Sequence, residues 1–174
     1  MKMRRVVTGD VDGRSAFVAD EQLEVEATPF FNGIGFHSIW GDDDIPSLPS
    51  DGTLPARSMY LPGARGFRFI SVTHPPKSHP PLPDDMDLAA AAAEADLLFP
   101  GLAGVHDEEG WHTTDSIDIF IIIKGQVTLV LDEGERILGP GDVYVQNGTR
   151  HRWVPTSEEP CQMVGVLIGA HRAG

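Results

Sequence analysis

Apolar and polar residues alternate along several short stretches of the chain, and each stretch ends near glycine, proline, asparagine or aspartate. Residues 4–20 contain two such runs around the turn-forming sequence DVDG, which predicts a β-hairpin. Residues 36–40 and 66–74 also alternate, and they predict two more strands. Residues 41–55 and 75–86 are rich in glycine, proline and aspartate, so we expect exposed loops there.

One segment is helical in character. Residues 87–98 read DLAAAAAEADLL, and alanine, leucine and glutamate have high helix propensity. An aspartate at position 84, 85 or 87 can cap the positive end of this helix. Pro100 and Gly101 predict where it ends.

From residue 110 onward the pattern becomes strand, turn, strand at short intervals, which is typical of a β-sandwich or barrel. The chain has 174 residues, so we expect one domain over 1–174. Within it, residues 1–109 are predicted to supply N-terminal strands, loops and the helix. Residues 110–168 are predicted to form the barrel itself.

Alternation gives the segment 112–123 two different faces. One face carries the polar His112 and Asp118, followed by Phe120 and Ile122. The other is a continuous row of isoleucines at 117, 119, 121 and 123, which we call the isoleucine ridge. Because both faces are apolar, this strand is expected to be buried on both sides. A barrel interior would cover one side, and the N-terminal strands or a second subunit would cover the other; we expect a C2 homodimer.

Charge and composition narrow the partners. The formal net charge is −13 and the pI is near 4.7, which disfavours nucleic acid and anionic membrane surfaces. The single cysteine, Cys161, cannot form an internal disulfide, and no stretch resembles a signal peptide or a membrane span. We therefore expect a cytoplasmic protein. Polar groups gathered at one mouth of an apolar barrel favour a small-molecule ligand.

The residues from 110 to 168 resemble the cupin superfamily at its first motif, which has the form His-x-His, three or four residues, Glu, six residues, Gly. Here His112-Thr113-Thr114 leads to Asp118, and Gly125 follows after six residues. Thr114 stands where the second histidine is expected, and Asp118 replaces the glutamate. Both departures affect the family's metal ligands.

The second cupin motif runs Gly, five residues, Pro-x-Gly-x-x-His, then three residues to Asn. Here Gly141 leads to Gln146 with one residue fewer, and Gly148 and His151 follow at the expected spacing. Gln146 replaces the proline and Pro155 replaces the asparagine, which affects only turn geometry. The pattern is most similar to small, single-domain bacterial cupins. It implies an all-β double-stranded β-helix, or jelly-roll barrel, with an N-terminal strand extension and one short helix.

The resemblance also implies a metal site. In metal-binding cupins, three histidines and a glutamate hold iron, manganese, nickel or zinc. Carried over by position, the catalytic and metal-ligating set here is His112, Asp118 and His151, and two imidazoles with one carboxylate suffice for such ions. Asp118 is one methylene shorter than glutamate; Asp115 could replace it only if a bulge turned it inward. No phosphate-binding glycine loop is present, so no organic cofactor is expected.

Three functions stay open for this set. The first is a metal-dependent enzyme acting on a small carboxylated or aromatic metabolite, as an oxygenase, isomerase, decarboxylase or lyase. The second is a metal-free binding or sensing module in which the histidines only form hydrogen bonds, although such histidines also serve as general bases. The third is a structural dimer with an inert barrel. The fold does not select among them.

Other residues have weaker grounds for a role. His74 ends a predicted strand and could reach the pocket, although a surface position before two prolines is favoured. Four other histidines show no supporting pattern: His37, His79, His106 and His171. The segment 75–109 precedes the His112 strand, which makes it a candidate lid over the barrel. Tyr144 and Trp153 are expected to pack as aromatic residues around the pocket. Arg150 and Arg152 are expected to face outward, and Cys161 is expected to be a small buried thiol.

Overall fold

A computed structural model describes residues 2–173, and its elements follow the predicted order. The strands are β1 Met3–Val11, β2 Arg14–Leu23, β3 Gly35–Asp42, β4 Phe67–His74, β5 Ser116–Lys124, β6 Val127–Leu131, β7 Gly134–Leu138, β8 Val143–Gln146, β9 His151–Pro155 and β10 Cys161–Gly169. The helix α1 spans Leu88–Leu98, and short 3₁₀ turns lie at Pro29–Phe31 and Ala103–Val105. The prediction of an all-β fold with N-terminal strands and one helix is confirmed.

The strands form three antiparallel sheets. The largest has the order β3-β4-β10-β5-β8, a second has the order β7-β6-β9, and β1 pairs with β2 alone. The buried core draws residues from both larger sheets, such as Phe120 and Met163 from the first and Val127 from the second. These two sheets therefore enclose the barrel interior between their inner faces.

The N-terminal hairpin has the turn that its sequence predicts. Asp12 and Gly13 have φ values of 52° and 77°, the left-handed conformation required by a tight two-residue hairpin. The Asp10 carboxylate accepts a 2.8 Å hydrogen bond from the Gly13 amide. The hairpin reaches the barrel through Arg5, whose guanidinium donates to the Ile39 carbonyl at 2.7 Å.

An aromatic cluster closes one end of the barrel beneath α1. The helix is capped by Asp87, whose carboxylate accepts from the Ala90 amide at 3.0 Å. After it, Phe99 is fully buried. Its ring lies 4.9–5.6 Å from those of Phe31, Phe36 and Tyr60, with mostly edge-to-face geometry. This packing fixes the wall against which a ligand would rest.

The two faces of β5 differ as predicted, but the isoleucine ridge is not covered. Ser116, Asp118, Phe120 and Ile122 are buried, whereas the four ridge isoleucines are 38–44% exposed. The expectation that the N-terminal strands could cover this ridge is wrong, because the β1–β2 hairpin associates with β3 instead. A second subunit is the remaining predicted cover.

Gly125, the last residue of the first motif, ends β5 in a left-handed conformation with φ of 69°. A Cβ at this position would lie 2.4 Å from the Pro160 carbonyl oxygen, so only glycine allows the chain to turn here. Among residues 2–173, no helix has the length and apolar character needed to cross a membrane.

Candidate functional site

Three histidines lie side by side on neighbouring segments of chain. Isolated antiparallel bridges pair His106 with His112 and His112 with His151. Residues opposite one another in such bridges project their side chains to the same face. The ring centroids are therefore close, at 4.2 Å for His106–His112 and 4.1 Å for His112–His151. We call these three residues the histidine row.

Each ring of the histidine row is held on its Nδ1 side by a backbone carbonyl. The partners are Leu102 for His106 at 2.9 Å, Gly110 for His112 at 3.1 Å and Thr149 for His151 at 2.9 Å. A carbonyl oxygen can only accept, so in the neutral rings Nδ1 carries the hydrogen and Nε2 keeps its lone pair. Within residues 2–173 these Nε2 atoms form no hydrogen bond, which leaves a line of acceptors.

The histidine row lines an inner cavity of about 100 Å³. Most of its wall is apolar and comes from the inner faces of both sheets and the aromatic cluster, including Phe36, Tyr60, Ile70, Phe120, Met163 and Leu167. Tyr144 and Trp153 also line it, and their rings lie 4.9 Å apart. The prediction that these two aromatic residues shape the pocket is confirmed.

Asp118 lies in this cavity together with His112 and His151. It is only 6% exposed, and its carboxyl accepts a 2.6 Å hydrogen bond from Ser116. Burial disfavours the charged form and raises the pKa of Asp118 to about 6, although the Ser116 bond opposes this shift. The group therefore exchanges its proton close to neutral pH.

Burial has the opposite effect on the histidines, because the charged imidazolium is the form it disfavours. The pKa of His112 is lowered to about 3 by burial and by its neighbours His151 and His106. The pKa values of His106 and His151 are lowered as well, mainly by burial. The histidine row is consequently neutral at physiological pH.

An outer cavity of about 870 Å³ lies above the inner one and shares part of its wall. Residues of the proline-rich segment 75–89 form part of its wall, and the role of 75–109 as a lid stays a prediction. Four acidic residues also line this cavity: Asp84, Asp107, Glu108 and Glu109. Among residues 2–173, neither cavity has lysine or arginine in its wall. Outside these walls, Arg150 and Arg152 form ion pairs with Asp107 and Glu109, at 3.4 and 3.9 Å.

Two further histidines belong to the site. His74 is 2% exposed and lines both cavities, so the favoured surface position is wrong and the alternative, that it reaches the pocket, is confirmed. His74 is the last residue of β4 and pairs with the buried Cys161 of β10. His106 also belongs to the site, and the signal for it was the hairpin-like spacing across the Asp107–Gly110 turn, which places it opposite His112.

Other candidate side chains lie outside the cavities. Asp115 is exposed and pairs with Arg172 at 2.6 Å, so it is not turned inward to replace Asp118. Arg150 and Arg152 stack on Trp111, with guanidinium carbons 4.1 and 5.0 Å from the ring centroid. They face away from the interior, as predicted. Burial raises the pKa of Cys161 to about 11, so it is not a reactive thiolate.

The residues implied as metal ligands have suitable chemistry but not suitable positions. Free Nε2 atoms with Nδ1 held by carbonyls are typical of histidines that bind metals. Within residues 2–173, however, no three histidine, cysteine, aspartate or glutamate side chains converge as a metal site requires. The ring planes of His112 and His151 are inclined at 52° to one another, and Asp118 accepts a hydrogen bond from Ser116 instead. In this arrangement the set does not fit a metal ion.

Comparison with known proteins supports the resemblance drawn from the motifs. Residues 103–167 match the protein-family model described as the cupin domain, a segment that contains the histidine row and Asp118. The cupin domain from Schizosaccharomyces pombe Cnp3 aligns with 97% of this chain and 87% of its own, at 10% identity and a TM-score of 0.49. Together with the two facing sheets, the family match gives this segment a cupin-type β-barrel fold.

Curated relatives are fungal. Phomopsin biosynthesis cluster protein C' from Diaporthe leptostromiformis is 56% identical over a region covering 33% of this chain and 38% of the relative. Cupin-domain-containing oxidoreductase fogC from Aspergillus ruber is 38% identical, with coverage of 35% and 32%. The chain thus spans 32–38% of the length of these two relatives. The expected bacterial subgroup is not supported by them.

Proposed function

We propose that the barrel binds a small, largely apolar organic molecule and acts on it by proton transfer. One observation carries this proposal: the buried carboxyl group of Asp118, whose pKa burial raises to about 6, shares an apolar cavity with the adjacent rings of His112 and His151. An acid or base works best when its pKa is close to the working pH.

The roles follow from the protonation states. Ionised Asp118 takes a proton from the ligand and, once protonated, returns it at a different atom. The neutral His112 and His151 accept hydrogen bonds from the ligand through Nε2 and orient it. With a pKa of about 3, His112 is too weak a base to keep the proton, which leaves Asp118 as the group that exchanges it.

Hydrogen exchange into deuterated water tests this reaction class. We expect the protein to accelerate exchange of the carbon-bound hydrogens beside the carbonyl in aromatic hydroxyketones such as phenacyl alcohol, followed by NMR. Asp118→Asn cannot take up the proton and should slow the catalysed exchange by about 10²–10⁴-fold. His112→Ala and His151→Ala should chiefly weaken binding.

Asp115→Asn is the matched control, because Asp115 is an exposed aspartate three residues away and should retain the full rate. An absence of exchange across the panel, or equal rates in the two asparagine variants, would rule out the proposed chemistry.

A metal-dependent oxidoreductase is the second candidate. The relative fogC is named an oxidoreductase, which favours this candidate. Redox chemistry requires a centre that accepts electrons, and a metal ion would provide one. His112, His151 and Asp118 would supply the donors, but they would have to move together first. Metal analysis of the same purified variants distinguishes the candidates: near-stoichiometric iron, manganese, nickel or zinc, lost in both alanine variants, would favour this second function.

We also propose that the protein is a homodimer whose interface includes the isoleucine ridge. The ridge continues across the neighbouring strands through Val143, Val145 and Ile168, which are 60%, 54% and 44% exposed. A contiguous apolar face of this kind is unusual on an isolated domain. The cytoplasmic location stays a prediction.

Ile119→Lys tests the interface, because a charge buried at an apolar contact opposes association. We expect the dimer dissociation constant to rise by about 100-fold, measured by analytical ultracentrifugation. Ile45→Lys is the control, since Ile45 is 66% exposed in a loop far along the chain from the ridge. A wild-type monomer, or a dimer unaffected by Ile119→Lys, would contradict the assignment.

A further inference from the structure

The histidine row and Asp118 present hydrogen-bond acceptors to the inner cavity, whose wall also holds the hydroxyl or indole donors of Tyr60, Thr114, Tyr144 and Trp153. The histidine row offers three Nε2 lone pairs, because every Nδ1 hydrogen is committed to a backbone carbonyl. Asp118 offers carboxylate oxygens, and the Ser116 hydroxyl that could have donated to a ligand already donates to it. A ligand that carries hydrogen-bond donors would therefore pair with the histidine row and Asp118.

A fourth histidine leaves a ring nitrogen without a partner in the same wall. His74 is 2% exposed and lines both cavities, and its Nε2 atom has no hydrogen-bond partner within residues 2–173. A buried polar atom without a partner is costly, so its position in the wall indicates that a ligand or a water molecule completes it. Its ring packs 5.8 Å from that of Trp153, which orients it at the junction of the cavities.

The charges around the cavities lead to the same ligand chemistry. An anion in the barrel would find no lysine or arginine in either wall within residues 2–173, and the outer cavity is lined by Asp84 and Glu108. The two arginines beside it, Arg150 and Arg152, already pair with Asp107 and Glu109. Inside, it would lie beside Asp118. Protonation of the histidines could supply a positive charge, but burial opposes that protonation.

Resting on the proposed function, we infer that the ligand is an aromatic molecule that carries hydroxyl or amino hydrogen-bond donors and has no carboxylate. The aromatic body packs against the apolar wall near Phe120 and Trp153, and its donors meet the Nε2 atoms of the histidine row. The sequence predicted either a carboxylated or an aromatic metabolite; this inference keeps the aromatic one and excludes the carboxylated one. The outer cavity of about 870 Å³ leaves space for a substituent that extends toward the acidic rim.

Three compounds with one aromatic body and different polar groups test the inference: benzyl alcohol, benzylamine and benzoate. Binding to the full chain near neutral pH is measured by titration calorimetry, at concentrations up to millimolar. We expect benzyl alcohol to bind at least about tenfold more tightly than benzoate, because its hydroxyl donates to an acceptor in the wall, whereas benzoate has no donor and brings a second negative charge beside Asp118. Benzylamine carries a cationic donor in place of the neutral hydroxyl of benzyl alcohol. Its affinity should also exceed that of benzoate.

Asp118→Asn provides a second measurement, because it replaces a carboxylate with an amide that can donate. Benzoate affinity should rise about tenfold in this variant, whereas Asp115→Asn should leave the ratio of benzyl alcohol to benzoate unchanged. Equal affinities for the three compounds, or a preference of the wild-type protein for benzoate, would overturn the inference alone. Failure of all three to bind would overturn the proposed small-molecule function together with the inference.

Discussion

Arg68→Ala is expected to lower the free energy of unfolding by roughly 3–5 kcal/mol, measured by chemical denaturation. Arg68 is only 1% exposed, and its guanidinium donates to the carbonyls of Tyr60, Asp42 and Met59 at 3.0, 2.6 and 2.9 Å. It also forms an ion pair with Asp43. Alanine would leave several buried carbonyls without a donor.

The same substitution should weaken ligand binding, because Arg68 holds the segment that carries Tyr60 and Leu61 into the cavity wall. Arg68→Lys keeps the charge but lacks the planar fork that reaches several acceptors, so it should recover only part of the loss. Arg65→Ala is the control: its ion pair with Asp44 is exposed, and its removal should cost less than about 1 kcal/mol. Equal losses in the two alanine variants would contradict this account.

The dense β region was predictable because its pattern is local. Alternation in residues 116–123 depends only on the pleat of a strand, and the buried and exposed faces of β5 match it. The α1 helix was equally accessible, since its alanine-rich sequence and Asp87 cap are contained within a few residues. Positions defined by one strand or one turn need no knowledge of the rest of the fold.

The histidine row was only partly predictable because it depends on how separate segments pair. His112 and His151 were found through the spacing of the two cupin motifs. Proteins with these motifs pair the two segments, so the spacing indicates that His112 lies opposite His151 in β9. His106 and His74 belong to no such motif. His74 follows an alternating strand and precedes two prolines, so its sequence resembles a surface turn, although pairing with Cys161 in β10 buries it.

The state of the site was also beyond sequence reasoning. Which nitrogen of each histidine carries hydrogen depends on carbonyls two or four residues away, at Gly110, Thr149 and Leu102. The raised pKa of Asp118 depends on apolar side chains from strands distant in sequence. The motif spacing identifies which side chains belong to the site. Their protonation states, which decide what the cavity binds, are visible only in the folded structure.

Acidification should destabilise the protein through its buried histidines. The pKa of His74 falls from 6.5 to about 4 on folding because burial disfavours the charged ring. Below pH 6.5 the unfolded chain takes up a proton that folded His74 does not, so its contribution to stability is present above 6.5 and is lost as the pH falls toward 4. Each such group changes the free energy of unfolding by up to about 1.4 kcal/mol per pH unit.

Denaturation midpoints measured across this pH window test the effect. His74→Gln removes one such group and should reduce the steepness of the acid loss by up to about 1.4 kcal/mol per pH unit, whereas exposed His171→Gln should leave it unchanged. The two variants would have the same pH profile if His74 titrated normally in the folded protein.

Asp118 should change the pH dependence of stability in the opposite direction to the histidines, because its pKa rises on folding. Its pKa rises from 3.8 to about 6 on folding, so the folded state keeps a proton that the unfolded state releases in this range. Its contribution is therefore fully present below pH 3.8 and is lost as the pH rises through 6. It partly offsets the histidines, and Asp118→Asn should make the acid loss steeper. A shallower profile in Asp118→Asn would mean that the carboxyl is ionised in the folded barrel, and Asp118 would then be unable to exchange a proton near neutral pH.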